Sequence, residues 1–332
     1  MQVAVVPFRR RCRDLTAMPM KIVAGQLSVS ELCLGCVSFG SMNPDDIGRL
    51  VDSYRDAGGN FFDTAHCYCS WLPSGAGASE VALGNYLRSN RCRDRVVLAT
   101  KGGHPSMSQY RTVTHYLSQA RIEADLDDSL GRLQTDMIDL YWLHRDDTRM
   151  EVASILDTLN REVCRGRIRF FGASNWTSQR IAEANTYAAS HGIQGFSASQ
   201  PQWSLLQYKP MTQEERLHPG VMLSLDDGDR RWHTQSQLPV ICYGSTGNGY
   251  FATGGKTPIE HRSPENQARC ERAAALAAKL HATPNQVALA WLMCQPFPVI
   301  PILGTSRIAH LRDALDSVRL TLSPSDLSYL ER

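Results

Sequence analysis

The chain has 332 residues, 42% of them hydrophobic and 20% charged, which is enough apolar material for a large core and excludes a disordered chain. A formal charge of only +2, with no basic stripe interleaved with aromatics, excludes a nucleic-acid footprint, and no apolar run reaches the ~18–20 residues that span a bilayer. The expectation is a cytoplasmic protein whose partner is a small molecule, with no nucleic acid and no membrane.

Residues 1–20 place a short apolar piece before their arginines, the reverse of a secretory signal, and read as a flexible N-terminal extension ahead of a single domain at 21–332. The stretch 16–31 reads as a β-hairpin that plugs one end of that domain. Beyond it the chain alternates short β-branched or apolar runs with longer amphipathic segments. Strands are expected at 32–39, 60–64, 96–101, 137–144, 168–174, 196–200, 239–245 and 298–304. Helices are expected at 45–58, 78–90, 114–133, 152–166, 177–192, 266–282 and 283–294, several closing at glycine. Eight β-then-α units without a break in composition predict an α/β fold, a single (β/α)8 TIM barrel with an N-terminal hairpin plug and long βα loops. A doubly wound open sheet is the alternative, but its GxGxxG phosphate loop is absent; FGSMNPDD stands after the first strand instead. Two connections are unusually long, 67–80 and about 207–238. In a barrel, loops after strands lie on the catalytic face, so these are expected to shape a pocket.

Ten cysteines raise the question of a metal or disulfide, and Cys33 and Cys36 form a CxxC. That pair lies in a strand, where side chains three apart leave on opposite faces and cannot share an ion. Reduced thiols are expected, with no metal.

In a barrel the polar residues ending the strands converge on one mouth. Here they are Asp63, with Tyr68 five residues on, then Lys101, His144, Ser174 with Asn175, Gln200, and Tyr243 to Ser245. A phenol is a poor acid at neutral pH, but a neighbouring ammonium favours the phenolate and makes the proton easier to give up. Lys101 suits that task, with Asp63 to hold it, and His144 suits the orienting of a carbonyl oxygen.

FFDTAHCY, ASEVALGNYL, VVLATK, DLYWLHRDD, FFGASNW, SQPQWSLL and PILGTSRIAHL together resemble the aldo-keto reductase superfamily over nearly the whole chain from about residue 20. The resemblance implies an oxidoreductase that reduces an aldehyde, ketone or related carbonyl with NADP(H), the reverse alcohol or sugar oxidation being the same chemistry. It places the family's catalytic tetrad on Asp63, Tyr68, Lys101 and His144, with Tyr68 as the general acid. It puts Ser174, Asn175 and Gln200 on the nicotinamide carboxamide and Tyr243 against the ring, with Gly244 and Ser245 next in the chain. Gly304, Thr305, Ser306, Arg307, His310 and Asp313, in GTSRIAHLRDAL, fall at the adenosine end, where Arg307 favours a 2′-phosphate. Ala314 stands where many relatives carry an asparagine facing adenine. Cys69 and the insertion after it depart from the commoner pattern, as does the Gly-rich run after Tyr243. Trp71, Trp176 and Trp232 are candidates for the substrate pocket. Two other functions compete with this one. A cofactor-holding regulatory subunit would not need all four tetrad positions. A metal-dependent hydrolase drawing on His66, His104 and His144 would need an HxH or comparable cluster, which the sequence does not display.

Overall fold

A computed structural model describes residues 18–105 and 115–332. Residues 1–17 of the expected extension, and residue 114 of one expected helix, lie outside them.

The hairpin comes first: β1 (Met20–Val23) pairs antiparallel with β2 (Leu27–Ser30). Its attachment begins at Met18, which is buried and donates its N–H to Ala57 O at 3.0 Å. Eight parallel strands then close into a barrel. They are β3 (Cys33–Gly35), β4 (Phe61–Asp63), β5 (Val97–Gly102), β6 (Ile138–Leu143), β7 (Ile168–Ser174), β8 (Ser199–Gln200), β9 (Val240–Cys242) and β10 (Val299–Leu303). β10 pairs with β3 to complete the ring. Around it run α1 (Pro44–Asp56), α2 (Ala78–Ser89), α3 (Gln119–Leu133), α4 (Val152–Cys164) and α5 (Ser178–His191), and later α8 (Pro264–Leu280), α9 (Pro284–Met293), α10 (Ile308–Asp316) and α11 (Pro324–Glu331). The predicted (β/α)8 architecture is therefore present, and each predicted strand overlaps an observed one. None of the described helices is long and apolar enough to cross a membrane.

Most boundaries shift by a few residues, and three departures from the sequence reading have a visible cause. α3 starts at Gln119 rather than at 114, since Ser118 is extended and forms its N-cap. β8 spans two residues rather than five because Phe196 N is taken by the Asn185 side chain at 2.7 Å and not by a neighbouring strand. The long connection at 207–238 holds two short helices, α6 (Gln213–Leu217) and α7 (Asp227–Ser236), each opened by a capping box, Thr212 with Glu215 and Asp226 with Asp229. Arg216 ties them, reaching Asp226 at 2.9 Å and Asp229 at 2.6 Å.

The period-2 alternation of the strands decides which side chains fill the barrel. Cys33, Phe61, Val97, Ala99, Leu140, Trp142, Phe170, Ala198, Ile241, Ile300 and Ile302 form one buried interior cluster. Leu34, Phe62, Leu98, Tyr141, Leu143, Phe171 and Ala173, one residue out of phase, face the helices. Cys33 and Cys36 fall in different clusters, on opposite sides of the sheet as the strand reading requires, and the described cysteines are free thiols. Interior space is tight: a Cβ on Gly172 would come within 2.3 Å of the Trp142 ring across the β6–β7 pairing. At the strands' N-terminal end Val23, Leu27 and Val29 of the hairpin join the interior cluster, and Lys21 Nζ donates to Val299 O at 3.0 Å. The hairpin is thus the expected plug.

Candidate active site

The same alternation that fills the barrel delivers the polar residues to its mouth. Two residues beyond Phe61 stands Asp63, beyond Ala99 stands Lys101, beyond Trp142 His144, beyond Gly172 Ser174, beyond Ala198 Gln200, and beyond Ile241 Tyr243. All six line one cavity of about 1090 Å³. An odd-residue slip in any strand would turn its member away.

Lys101 and Asp63, each 2% exposed, form an ion pair at the floor of the cavity. Lys101 Nζ also donates to Thr64 O at 2.8 Å and to Tyr68 OH at 3.1 Å. Gln200 Nε2 donates to the other Asp63 oxygen at 3.1 Å. Burial works against the Lys101 ammonium, yet Asp63 and Tyr68 outweigh it and leave its pKa raised, so the group stays charged. Tyr68 is half-buried. Burial lifts its phenol above the ordinary value, with Lys101 lowering it and Asp63 raising it. The expected help from the ammonium is present, but in the free protein desolvation exceeds it.

The His144 ring meets the Tyr68 ring edge-on, with centroids 5.9 Å apart. Burial, then Arg145, His104 and Lys101, push His144 well below its ordinary pKa, so it is neutral near pH 7. Cys67 Sγ lies 3.5 Å from His144 Nδ1. Burial raises this thiol to about 11, so it keeps its proton.

Sequence reasoning missed one grouping. Cys67, His104 and His144 bring their ligand atoms within 4.8 Å of one another, one trio of the described residues able to hold a metal. They come from three different connections, so no spacing rule reveals them. His66 stands apart, on Asp128 at 3.0 Å.

Asn175 adopts φ +60° just after β7. Its Nδ2 donates to His144 O at 3.1 Å and Ser174 Oγ at 3.0 Å, while Oδ1 accepts from Tyr243 OH at 2.7 Å and Leu223 N at 3.0 Å. The side chain is fully committed and braces the mouth. Gln200 Oε1, by contrast, is buried with no partner among the described residues.

The far arm of the cavity is lined by Gly244, Ser245, Thr246, Asn248 and Gly249, and by Gly304, Thr305, Arg307, His310, Asp313 and Ala314. Within this run Gly247 and Gly249 spend their N–H groups on Gly244 O and Thr246 O. Arg307 is the N-cap of α10 without a side-chain cap, and no acid stands in that helix's first turn, leaving amides and a guanidinium for an anion. Ser306 is exposed and not among the lining residues. Asp313 is largely engaged, accepting from Thr283 Oγ1 at 2.8 Å and Asn285 Nδ2 at 2.9 Å. Asn285, from α9, lines the cavity beside Ala314, and its Oδ1 is buried without a partner among the described residues.

The three tryptophans lie elsewhere. Trp71 is 58% exposed and outside the lining. Trp176 is buried against Phe196 at 4.9 Å with the Arg180 guanidinium 5.2 Å over its ring. Trp232 is half-buried against the helix-side core and the His233 ring. From the insertion at 67–80 only Tyr68 reaches the cavity, whereas Met222 of the 207–238 segment does line it.

A closed barrel whose mouth gathers a phenol, an ammonium–carboxylate pair and an imidazole defines a carbonyl oxidoreductase architecture. Consistent with it, the Aldo/keto reductase family matches residues 31–332, and the chain belongs to that family. It is 28% identical over 310 residues to a probable aryl-alcohol dehydrogenase of Saccharomyces cerevisiae, covering 88% of each chain. An aldo-keto reductase of Emericella nidulans is 30% identical over 328 residues, 92% of this chain and 78% of its own. Norsolorinic acid reductase B of Aspergillus parasiticus is 28% identical over 351 residues, 98% of this chain and 84% of its own. The protein is an oxidoreductase of a family that generally uses nicotinamide cofactors and acts on small-molecule carbonyls.

Proposed function

We propose that the protein reduces an aldehyde or ketone with NADPH, Tyr68 acting as general acid, and catalyses the reverse oxidation under the opposite cofactor ratio. The observation that carries this is the convergence of Tyr68 OH and Lys101 Nζ at 3.1 Å, over the buried Asp63 and beside a neutral His144.

When bound, the nicotinamide cofactor supplies the hydride. The residues present fit it. Gln200 Oε1, buried and unpartnered, needs an N–H, which a carboxamide provides. Ser174 Oγ accepts from Asn175 and donates to Gln200 O at 2.9 Å, keeping one lone pair for the same amide. Tyr243, pinned to Asn175, walls the ring site, with Gly244 and Ser245 next to it. Arg307, His310, Thr305 and the open start of α10 suit a 2′-phosphate and support NADP over NAD. Asn285 Oδ1 offers an acceptor to an exocyclic amine near Ala314, where relatives carry their asparagine.

At the reacting end Tyr68 gives its O–H proton to the carbonyl oxygen, which leaves as an alcohol. Lys101 lowers the cost of the phenolate left behind, and Asp63 keeps Lys101 charged and in register. His144 donates a hydrogen bond to the same oxygen. Replacing Tyr68 with Phe should abolish turnover and leave NADPH binding intact, read by fluorescence titration. Turnover near wild type would remove Tyr68 from the mechanism.

A further inference from the structure

Arg145 lies just past β6, and the proposed reaction chemistry leaves it unused. It is 7% exposed and lines the cavity. Nη1 donates to His144 O at 3.0 Å, the carbonyl that Asn175 Nδ2 also uses, so the guanidinium is anchored at the reacting end. Its Nε is buried without a partner among the described residues.

The two acids next to it in sequence are taken: Asp146 by Arg180 at 2.9 Å and Asp147 by Arg149 at 2.6 Å. The groups on which its charge acts include Tyr243, His144, His104 and Cys67, none of them a carboxylate. Residues 106–114, SMSQYRTVT, contain no acid either. A buried cation without a counter-ion is expensive unless a ligand completes it. In the proposed reading the cofactor's 2′-phosphate already has the Arg307 end of the cavity. Tyr243, on which the Arg145 charge acts, lines the same cavity, as do Met222 and Val37, and these suit an apolar body.

Resting on the reductase reading, we propose that the natural substrate is a carbonyl compound that also carries a carboxylate, and that Arg145 binds that carboxylate. The guanidinium's N–H groups donate to the carboxylate, and this fixes which face and which carbonyl are presented to Tyr68. Arg145 is thereby a specificity determinant.

The test compares 4-formylbenzoate with its methyl ester, both reduced with NADPH by wild type, Arg145→Met and Arg145→Lys. A charge-assisted pair predicts a kcat/KM ratio of acid to ester of roughly ten- to a hundredfold in wild type, carried by KM. The ratio should fall to near one in Arg145→Met and be intermediate in Arg145→Lys, which keeps the charge but not the fork. A ratio near one in wild type, or one unchanged by Arg145→Met, overturns the proposal while leaving the reductase reading standing. Should neither compound be reduced, it is the reductase reading that suffers. Calorimetry on the NADPH-loaded protein then decides the Arg145 question: benzoate binding tighter than benzamide, with the preference lost in Arg145→Met, supports it, and no preference overturns it. Thermal melts of both variants exclude misfolding as the cause.

Discussion

Lys101→Met separates what the buried ion pair does for the fold from what it does for the chemistry. In wild type, Lys101 Nζ is 3.1 Å from Tyr68 OH. Unit charges at that distance interact by about 5 kcal/mol at an effective dielectric of about 20. With the proton half transferred, about half of that is felt by the barrier, and kcat for carbonyl reduction should fall by roughly a hundredfold. Stability suffers too. The Asp63 carboxylate, 2% exposed, keeps only the Gln200 amide at 3.1 Å, and breaking a buried pair from one side costs about 3–5 kcal/mol. The double variant Lys101→Met, Asp63→Leu removes the orphaned charge and should recover most of that stability, because apolar replacements of a buried pair are often near neutral. It should recover none of the rate. Stopped-flow NADPH oxidation and thermal melts on the two variants measure both quantities. A single variant that retains more than a tenth of kcat, or a double variant whose rate returns with its stability, would refute the assignment of Lys101 to the phenolate.

Arg307→Ala should weaken NADPH binding about tenfold or more and NADH binding little, since only the former carries the dianion; equal losses for both would remove Arg307 from the 2′-phosphate. His104 is pushed down to about 4 by burial and then by Arg145. A histidine with a depressed folded pKa contributes stability above its unfolded value near ~6.5 that is lost as pH falls toward the folded one. His104→Asn should therefore flatten the dependence of the melting temperature on pH between those limits, and an unaltered slope would show that His104 does not titrate with unfolding.

Eight strands were legible because each is a short apolar run bounded by turn residues, and six site residues because they end those runs or stand just past them. Asp63, Lys101 and His144 needed only the strand period to be placed. α6 and α7 were not legible as helices because QEERL and DGDRRWHTQS have no apolar stripe. Their only signals were the capping pairs Thr212-x-x-Glu215 and Asp226-x-x-Asp229 at their N-termini. The tryptophans misled for a different reason: a large aromatic near a motif is placed by backbone direction, and the φ of +60° at Asn175 ends the strand and leaves Trp176 packed on Phe196. Arg145 stood in view in DLYWLHRDD but looked like any surface cation, because its burial and its lack of a counter-ion among the described residues belong to the tertiary structure.

The hairpin plug has a kinetic consequence. With Val23, Leu27 and Val29 sealing the lower end and Trp142, Phe170 and Ile300 filling the tube above them, the floor holding Lys101 and Asp63 meets water from the cavity side alone. In the proposed reaction, the proton that Tyr68 gives up is replaced through the opening by which the substrate enters. Recharging the acid and vacating the site are then events in a single corridor, and solvent deuterium should slow the cycle most when a bulky alcohol lingers there.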